Sequence, residues 1–399
     1  MTILYIGYWS FENNLTKAAI FPHLKILSTF TQVKKIILIT LEREMRIKNR
    51  NSVLPDKVEL VQLYSGKSIF SLFNLFRDHI RYISDVRRII REEGIDMILA
   101  NGTQAGTIAL RARNKVGIPL IIEYFEPHAE YMADNKVWGR FDPRYLYLKN
   151  QEKKQKKYAE KLITVSRKYK HKLIENGLNQ KKLATSPCPV DKVVYNFNPG
   201  KRREIRRQLR ISDDYIVGIY TGKFGDLYWD GRAFQLFAYC QRFFKDQFFL
   251  MILTPQDIES VKRKLLQNQI DVNRVHVENG AYESVPDFLS GADYAFSLPN
   301  TNPSSVGCAP IKDGEYWASG LPTVITEDIG DDSDIILENS AGAVISEKVA
   351  SWEIAMIKIK KILLIEKHRE NIRELAINYR SIDIITSIYR QILEEEYMN

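Results

Sequence analysis

The sequence predicts an α/β protein of two doubly wound, Rossmann-like halves, each a parallel sheet covered by helices on both sides. Two observations carry this. Short runs that are apolar on both faces alternate with helical patterns, and the alternation breaks at a basic, low-apolar stretch near residue 200 before it restarts. Length agrees, since 399 residues make two or three domains at roughly 150 residues each.

In the first half the strand-like runs are TILYIGY (2–8), KKIILIT (34–40), VELVQLY (58–64), MILANG (97–102), PLIIEYF (119–125) and KLITVS (161–166). Helical patterns fall at 15–29, 68–93 and 104–115. The break, NPGKRREIRRQLR (198–210), reads as a linker and a charge-rich surface helix, because Arg and Lys are good helix formers. The second half repeats the rhythm with YIVGIYTG (215–222), FFLMILT (248–254), RVHVENG (274–280), ADYAFSLP (292–299) and TVIT (323–326). Its helices are expected at 231–243, 257–268, 284–291 and 310–319. The domains are therefore 1–200 and 201–377, and a terminal helix within 378–399 is expected to pack back on the first.

A hydrophobic share of 45% and a charged share of 27% describe ordinary globular material. Cys188, Cys240 and Cys308 lie far apart without a C-x-x-C pair, which favours neither a disulfide framework nor a zinc cluster and points to a reducing compartment. The N-terminal apolar run is too short for a secretory signal, and no stretch approaches the roughly 20 apolar residues of a spanning helix. A soluble, cytoplasmic protein is expected. A net charge of +9 implies an anionic partner: nucleic acid, an acidic bilayer or a phosphate-bearing small molecule. No zinc finger, RNA-recognition signature or helix-turn-helix accompanies the basic run, so nucleic acid is set aside.

In open parallel sheets, ligands bind beyond the carboxyl ends of the strands, where helix N-termini aim their N–H groups at a shared crevice. The segments to inspect are Trp9–Asn14, Asn101–Gln104, Glu126–His128, Gly222–Gly225, Asn279–Tyr282 and APIKDGEYWASGLP (309–322). Gly222 and Gly225 would let backbone approach a ligand, and Lys223 between them supplies a point charge for phosphate. A tight turn with a surface lysine explains the same residues equally well. His128 stands at a strand end, where a neutral imidazole could hydrogen-bond a sugar hydroxyl or phosphoryl oxygen, although lone histidines are more often structural.

The stretch at 309–322 says more. Pro310 suits a first helical turn and Gly320 with Pro322 stops the helix, which then shows Lys312, Glu315, Tyr316 and Ser319 on one face. The amides from Gly307 to Ile311 would cradle a diphosphate at the positive helix end, with Glu315 one turn in to accept hydrogen bonds from a ribose diol. The plainer reading is a capped helix with an exposed Glu–Lys pair.

SSVGCAPIKDGEYWASGLPTVIT resembles the nucleotide-sugar signature of retaining glycosyltransferases of group 1, family 4, with the GT-B fold, matching at Pro310, Lys312, Glu315, Tyr316, Ala318, Gly320 and Pro322. IYTGKFG (219–225), EYFEPHAEYM (123–132), KLITVSRKYK (161–170) and SVPDFLSGADYAFS (284–297) extend the likeness in the expected order. The resemblance implies two Rossmann-like domains facing each other across a cleft. It implies catalytic roles for His128, near the transferred sugar, for Lys223, which would neutralise the departing diphosphate, and for Glu315, on the ribose. Nucleotide-sugar contacts are expected from Gly222, Gly225, Asn279, Tyr282, Gly307, Cys308, Ala309, Ile311, Lys312 and Glu315. No cofactor and no obligatory metal are implied.

The expected partners are a UDP- or GDP-sugar, with a hexosyl or N-acetylhexosaminyl group, and a saccharide or lipid-linked saccharide acceptor of cell-surface polysaccharide assembly. An anionic membrane surface is a further candidate, from Phe70, Phe73 and Phe76 beside Arg77, Arg81, Arg87 and Arg88 in 68–93, although a core-facing amphipathic helix is the plainer reading and the favoured one for the second half of the stretch. Two departures stand out. Gly307 occupies the place of a glutamate that contacts the sugar in many members, and the basic residue usual shortly after Lys223 is missing until Arg232. These departures give weight to an alternative, a catalytically silent GT-B scaffold for another transferase. The metal-binding Asp-x-Asp of the other glycosyltransferase architecture is matched only formally by Asp332-Ser333-Asp334, which a helix cap explains better.

Overall fold

Apolar runs flanked by turn residues form two separate, wholly parallel sheets. The computed structural model describes residues 1–42, 54–64, 71–113 and 117–397. They divide into unit 1, of 1–133, 138–189 and 382–399, and unit 2, of 134–137 and 190–381. The division falls at 189/190, short of residue 200, because 190–195 are tied to the end of unit 2. Val190 N–H donates to the Arg380 carbonyl, and the Arg373 guanidinium to the carbonyls of Lys192 and Tyr195.

Unit 1 runs β1 (Thr2–Ile6), α1 (Asn14–Ala19), α2 (Phe21–Thr29), β2 (Lys35–Glu42), β3 (Val58–Tyr64), α3 (Ser71–Glu92), β4 (Met97–Asn101), α4 (Gly102–Arg113), β5 (Leu120–Phe125), α5 (His128–Asp134), α6 (Pro143–Tyr158), β6 (Lys161–Thr164), α7 (Arg167–Glu175) and β7 (Leu183–Thr185). Its strand order is β3-β2-β1-β4-β5-β6-β7. Right-handed crossovers place α3, α4, α6 and α7 on one side of this sheet and α1 and α2 on the other. α3 packs on α4, and α4 on α6. The front of 68–93, with Phe70 and the side chains of Phe73, Phe76 and Arg77, lies outside the described residues.

Unit 2 runs α8 (Pro199–Gln208), β8 (Ile216–Thr221), α9 (Gly231–Phe244), β9 (Phe248–Leu253), α10 (Ile258–Gln267), β10 (Val275–Glu278), α11 (Val285–Gly291), β11 (Tyr294–Ser297), α12 (Ile311–Ala318), β12 (Thr323–Thr326), α13 (Asp332–Glu338), β13 (Gly342–Ile345), α14 (Val349–Leu363) and α15 (His368–Tyr379). The order is β10-β9-β8-β11-β12-β13. An aromatic core of Tyr220, Phe224, Phe234, Phe237, Phe248, Tyr294, Phe296 and Trp352 fills one side. Finally α16 (Ile382–Tyr397) returns to unit 1, where it packs on α2 and buries Ile385, Tyr389, Ile392 and Leu393.

The basic run at 201–210 is not simply a solvated face. Arg206 is 2% exposed. Its guanidinium donates to Asp293 at 2.6 Å and to the carbonyls of Gly291, Ser212 and Tyr215, while Arg202 holds the other Asp293 oxygen at 2.7 Å. These charges fasten α8 to the start of β11, a structural use that repays their desolvation only because every donor is placed.

Candidate active site

In unit 2 the strand order reverses direction between β8 and β11. Such a switch point opens a crevice at the strand ends. The loop after β8 carries Gly222–Gly225, and the segment after β11 leads through a 3₁₀ turn at Ser305–Gly307 to α12.

Pro310 caps α12 and Ile311 is its first helical residue. The helix ends in a Schellman arrangement, with Gly320 N–H on the Trp317 carbonyl at 2.9 Å and Leu321 N–H on that of Tyr316 at 2.9 Å. Gly320 is needed there, since its φ is +70° and a Cβ would stand 2.8 Å from the Arg369 carbonyl oxygen. α12 is almost wholly buried, Glu315 included at 6% exposure. The exposed Glu–Lys pair of the plainer reading is therefore absent.

Gly307 N–H bonds the Ser304 carbonyl and Cys308 N–H that of Ser305, both at 3.0 Å. Closing the 3₁₀ turn uses those two amides, which removes them from the expected anion cradle. The amides of Ala309, Ile311 and Lys312 bond no acceptor among the described residues. The cradle is thus narrower than the spacing suggests, and it begins at Ala309.

Lys312 reaches from the first turn of α12 across to the loop after β8. A Cβ on Gly222, whose φ is +131°, would sit 2.0 Å from the Lys312 Nζ. The glycine is there to let this lysine in. The ammonium lies 4.4 Å from the Tyr228 ring centroid and 5.6 Å from that of Tyr220, cation–π distances that hold it in place. Burial depresses its pKa to about 8, opposed by the charges of Glu315 and Asp313 and assisted by Lys223. Glu315, one turn further, is pushed up to about 7 by burial, with the Tyr195 hydroxyl and Lys312 pulling the other way. Tyr316 serves a different end: its hydroxyl binds the Thr221 hydroxyl at 2.8 Å and accepts from the Thr221 N–H at 3.2 Å, joining α12 to the end of β8.

Lys223 is placed less decisively. Its ammonium pairs with Asp226 at 2.9 Å and its side chain is 44% exposed. The loop itself is braced by Gln256, whose amide both accepts from Phe224 N–H at 2.9 Å and donates to the Phe224 carbonyl at 3.0 Å. Asn279 is exposed at the end of the edge strand β10. The side chain of Tyr282 lies outside the described residues.

In unit 1, His128 opens α5 and its Nδ1 meets Glu126 at 2.6 Å, while Nε2 faces the Gln104 amide at 3.2 Å. Burial draws its pKa down, but the Glu126 hydrogen bond and the charges of Glu126 and Glu152 outweigh it and leave the value above the ordinary histidine. The imidazole expected to be neutral is biased toward the charged form.

Three features escape sequence reasoning. Tyr228 and Gln256 carry no motif. The third is a fully buried cluster behind α12, where Asp332 pairs with Arg380 and Asp313 faces both. Burial is the main cause raising both carboxyl pKa values, and the Arg380 charge opposes it. The Asp-x-Asp at 332–334 thus has its first member taken by an arginine. Its formal match to a metal motif was the only signal.

Residues 35–193 match the family model of Glycosyltransferase Family 4. The chain is similar to HepE of Anabaena, solved with UDP and glucose, at 14% identity over 99% of each chain with a TM-score of 0.71. It is similar to the sucrose-phosphate synthase of Thermosynechococcus elongatus at 14% identity, over 100% of this chain and 99% of that one, with a TM-score of 0.76. The fold is GT-B. A third GT-B structure, WaaG, a glycosyltransferase involved in lipopolysaccharide biosynthesis, shares 15% identity over 97% of this chain and 99% of its own, with a TM-score of 0.71. No curated protein matches in sequence.

Proposed function

We propose that this GT-B chain transfers a hexosyl or N-acetylhexosaminyl group from a nucleoside-diphosphate sugar to a saccharide or lipid-linked saccharide acceptor, with retention, in cell-surface polysaccharide assembly. The observation that carries the reading is the start of α12. Three open amides, a lysine held against Gly222 and a buried carboxylate one turn on are what a diphosphate followed by a ribose diol requires. The match over 35–193 and structural neighbours solved with UDP support it.

In the transfer, the bond from the anomeric carbon to the diphosphate oxygen breaks as the acceptor oxygen bonds the same carbon from the same face, and the acceptor's proton passes to the departing phosphate. Negative charge grows on the diphosphate. Lys312, the α12 amides and Lys223, once freed from Asp226, neutralise it without an obligatory metal. Lys312 replaces the basic residue missing after Lys223. Glu315 accepts the ribose hydroxyls, and His128 keeps the sugar-contacting role that the resemblance assigns. A half-depressed lysine pKa serves binding, since a diphosphate draws the proton back on arrival.

Gly307 and the Lys223–Asp226 pair favour a second reading, a catalytically silent scaffold. Calorimetry with UDP and GDP, followed by product analysis over a panel of nucleotide sugars, separates the two. Micromolar binding lost in Glu315→Ala, with sugar transfer or slow donor hydrolysis, is expected; no diphosphate binding would remove the enzyme reading.

A further inference from the structure

The positive charge is not shared between the units. Unit 1 holds 33 Lys and Arg against 21 Asp and Glu, a net of +12, whereas unit 2 holds 25 against 28, a net of −3. Within unit 1 it is concentrated again: residues 140–182, the span of α6 and α7, hold fourteen basic against four acidic residues, a net of +10. A diphosphate site in unit 2 does not account for a field of this size elsewhere.

The crossover rule puts α6 and α7 on the same side of the sheet as α3 and α4. Exposed there are Arg87, Arg88 and Arg91 on α3, Arg111 on α4, Lys153, Lys154 and Lys157 on α6, and Lys172 on α7. Lys153, Lys154, Lys157 and Lys172 have no ion pair among the described residues. Acidic residues on this side are few and partly spent, since Glu160 pairs with Arg113 and Glu92 with Arg88.

A basic face alone is usually just solvated. This one carries apolar side chains that the fold does not bury. Phe141, immediately before the N-cap of α6, is 94% exposed, Leu146 on the first turns 54% and Tyr158 at the last turn 48%. On α6, Leu146, Asn150, Lys153, Lys154 and Lys157 form one outward stripe, while Tyr145, Leu148, Gln151, Glu152 and Gln155 point inward. Lysines beside an exposed phenylalanine and leucine match the two layers of an anionic bilayer, phosphate outside and acyl chain within. Duplex nucleic acid would use the charge and leave Phe141 idle.

We propose that the α6–α7 side of unit 1 docks on an anionic phospholipid surface, with Phe141 and Leu146 entering the interface and Lys153, Lys154 and Lys157 meeting headgroup phosphates. This surface is separate from the nucleotide site and holds whether or not the transferase reading does.

The test is co-sedimentation of the full chain with vesicles of phosphatidylcholine alone or with 30 mol% phosphatidylglycerol. Partitioning only with the anionic lipid is expected, weakened by salt. Each lysine near such a surface raises partitioning roughly five-fold, so the triple change Lys153→Glu, Lys154→Glu, Lys157→Glu should lower it at least about a hundred-fold. Phe141→Ser with Leu146→Ser should lower it about ten-fold at unchanged charge. All five positions are solvent-facing or nearly so, and retained UDP binding and melting temperature would show that the variants fold. Equal binding to neutral vesicles, or a triple variant that partitions like the wild type, would overturn the proposal. So would duplex DNA binding of equal strength that Phe141→Ser leaves intact, the mark of a generic polyanion surface.

Discussion

Glu315 and Lys312 sit one turn apart with pKa values moved toward each other, to about 7 and about 8. A carboxyl raised above its free value of about 4.3 favours the folded state below that value and loses this advantage as pH climbs through 7. The size is about 4 kcal/mol at 1.36 kcal/mol per unit. Urea unfolding of Glu315→Gln, which cannot ionise, should therefore show less decline than the wild type between pH 4.5 and 7, and equal slopes would mean the carboxyl is already solvated. For Lys312 the sign reverses: its depressed value makes stability rise with pH between about 8 and its free value of about 10.4. Gly222→Ala tests the same contact from the other side. Its Cβ would displace the Lys312 ammonium and strain a φ of +131°, so UDP affinity by calorimetry should fall about ten-fold or more while the far-UV spectrum is unchanged.

At the scale of elements, α12 is held from behind by a buried cluster of two acids and one guanidinium. Two buried carboxyls, Asp313 and Asp332, share Arg380, and the Trp317 ring lies 5.4 Å from its guanidinium carbon. Replacing Arg380 by Met leaves both acids without a counter-charge and should cost about 3–5 kcal/mol by urea denaturation. Arg380→Met combined with Asp332→Leu should recover part of that loss, because one uncompensated acid is gone. A double variant as unstable as the single would mean that Asp313 alone sets the cost.

Most strands were legible because parallel sheets bury both faces, and runs such as FFLMILT or KKIILIT need no alternation to be read, but β7 and β13, edge strands of three and four residues, carry too short an apolar run and were not expected. α12 was legible from its proline start and glycine stop. Other elements were not. α6 buries Gln151, Glu152 and Gln155 through hydrogen bonds, as when the Gln155 amide donates to the Thr103 carbonyl and the Thr107 hydroxyl, so its inward face is polar and no apolar period marks it. Within the site, the residue types of Lys312 and Glu315 pointed to a diphosphate and ribose. The spent amides of Gly307 and Cys308 depend on a 3₁₀ turn that a run of small residues does not announce.

For the whole molecule, the decisive fact is that unit 1 is finished by residues 192 positions removed from its main body, since 190–381 belong to unit 2. α16 brings Tyr389 into a buried polar network. The phenols of Tyr389 and Tyr5 both donate to Glu123, which is 1% exposed, and the Tyr389 oxygen also meets His23 Nδ1 at 2.6 Å. The His23 ring passes the chain on to the Tyr124 hydroxyl at 2.8 Å, on a residue held at φ +49° where β5 breaks register with β6. Burial first, then the Glu123 charge, raises the pKa of both phenols well above normal, so both stay protonated donors. Tyr389→Phe keeps the ring in the core beside Ile385 and Leu393 but strips one donor from a buried carboxylate, a loss of about 1–3 kcal/mol. The urea midpoint of unit 1, followed by hydrogen exchange at its strand amides, should drop while that of unit 2 holds. Because α16 must close a loop spanning all of unit 2 before Glu123 is satisfied, the variant should speed unfolding of unit 1 more than it slows folding, provided the helix docks late. An unchanged unfolding rate with slower refolding would instead place the α16 contact in the folding nucleus.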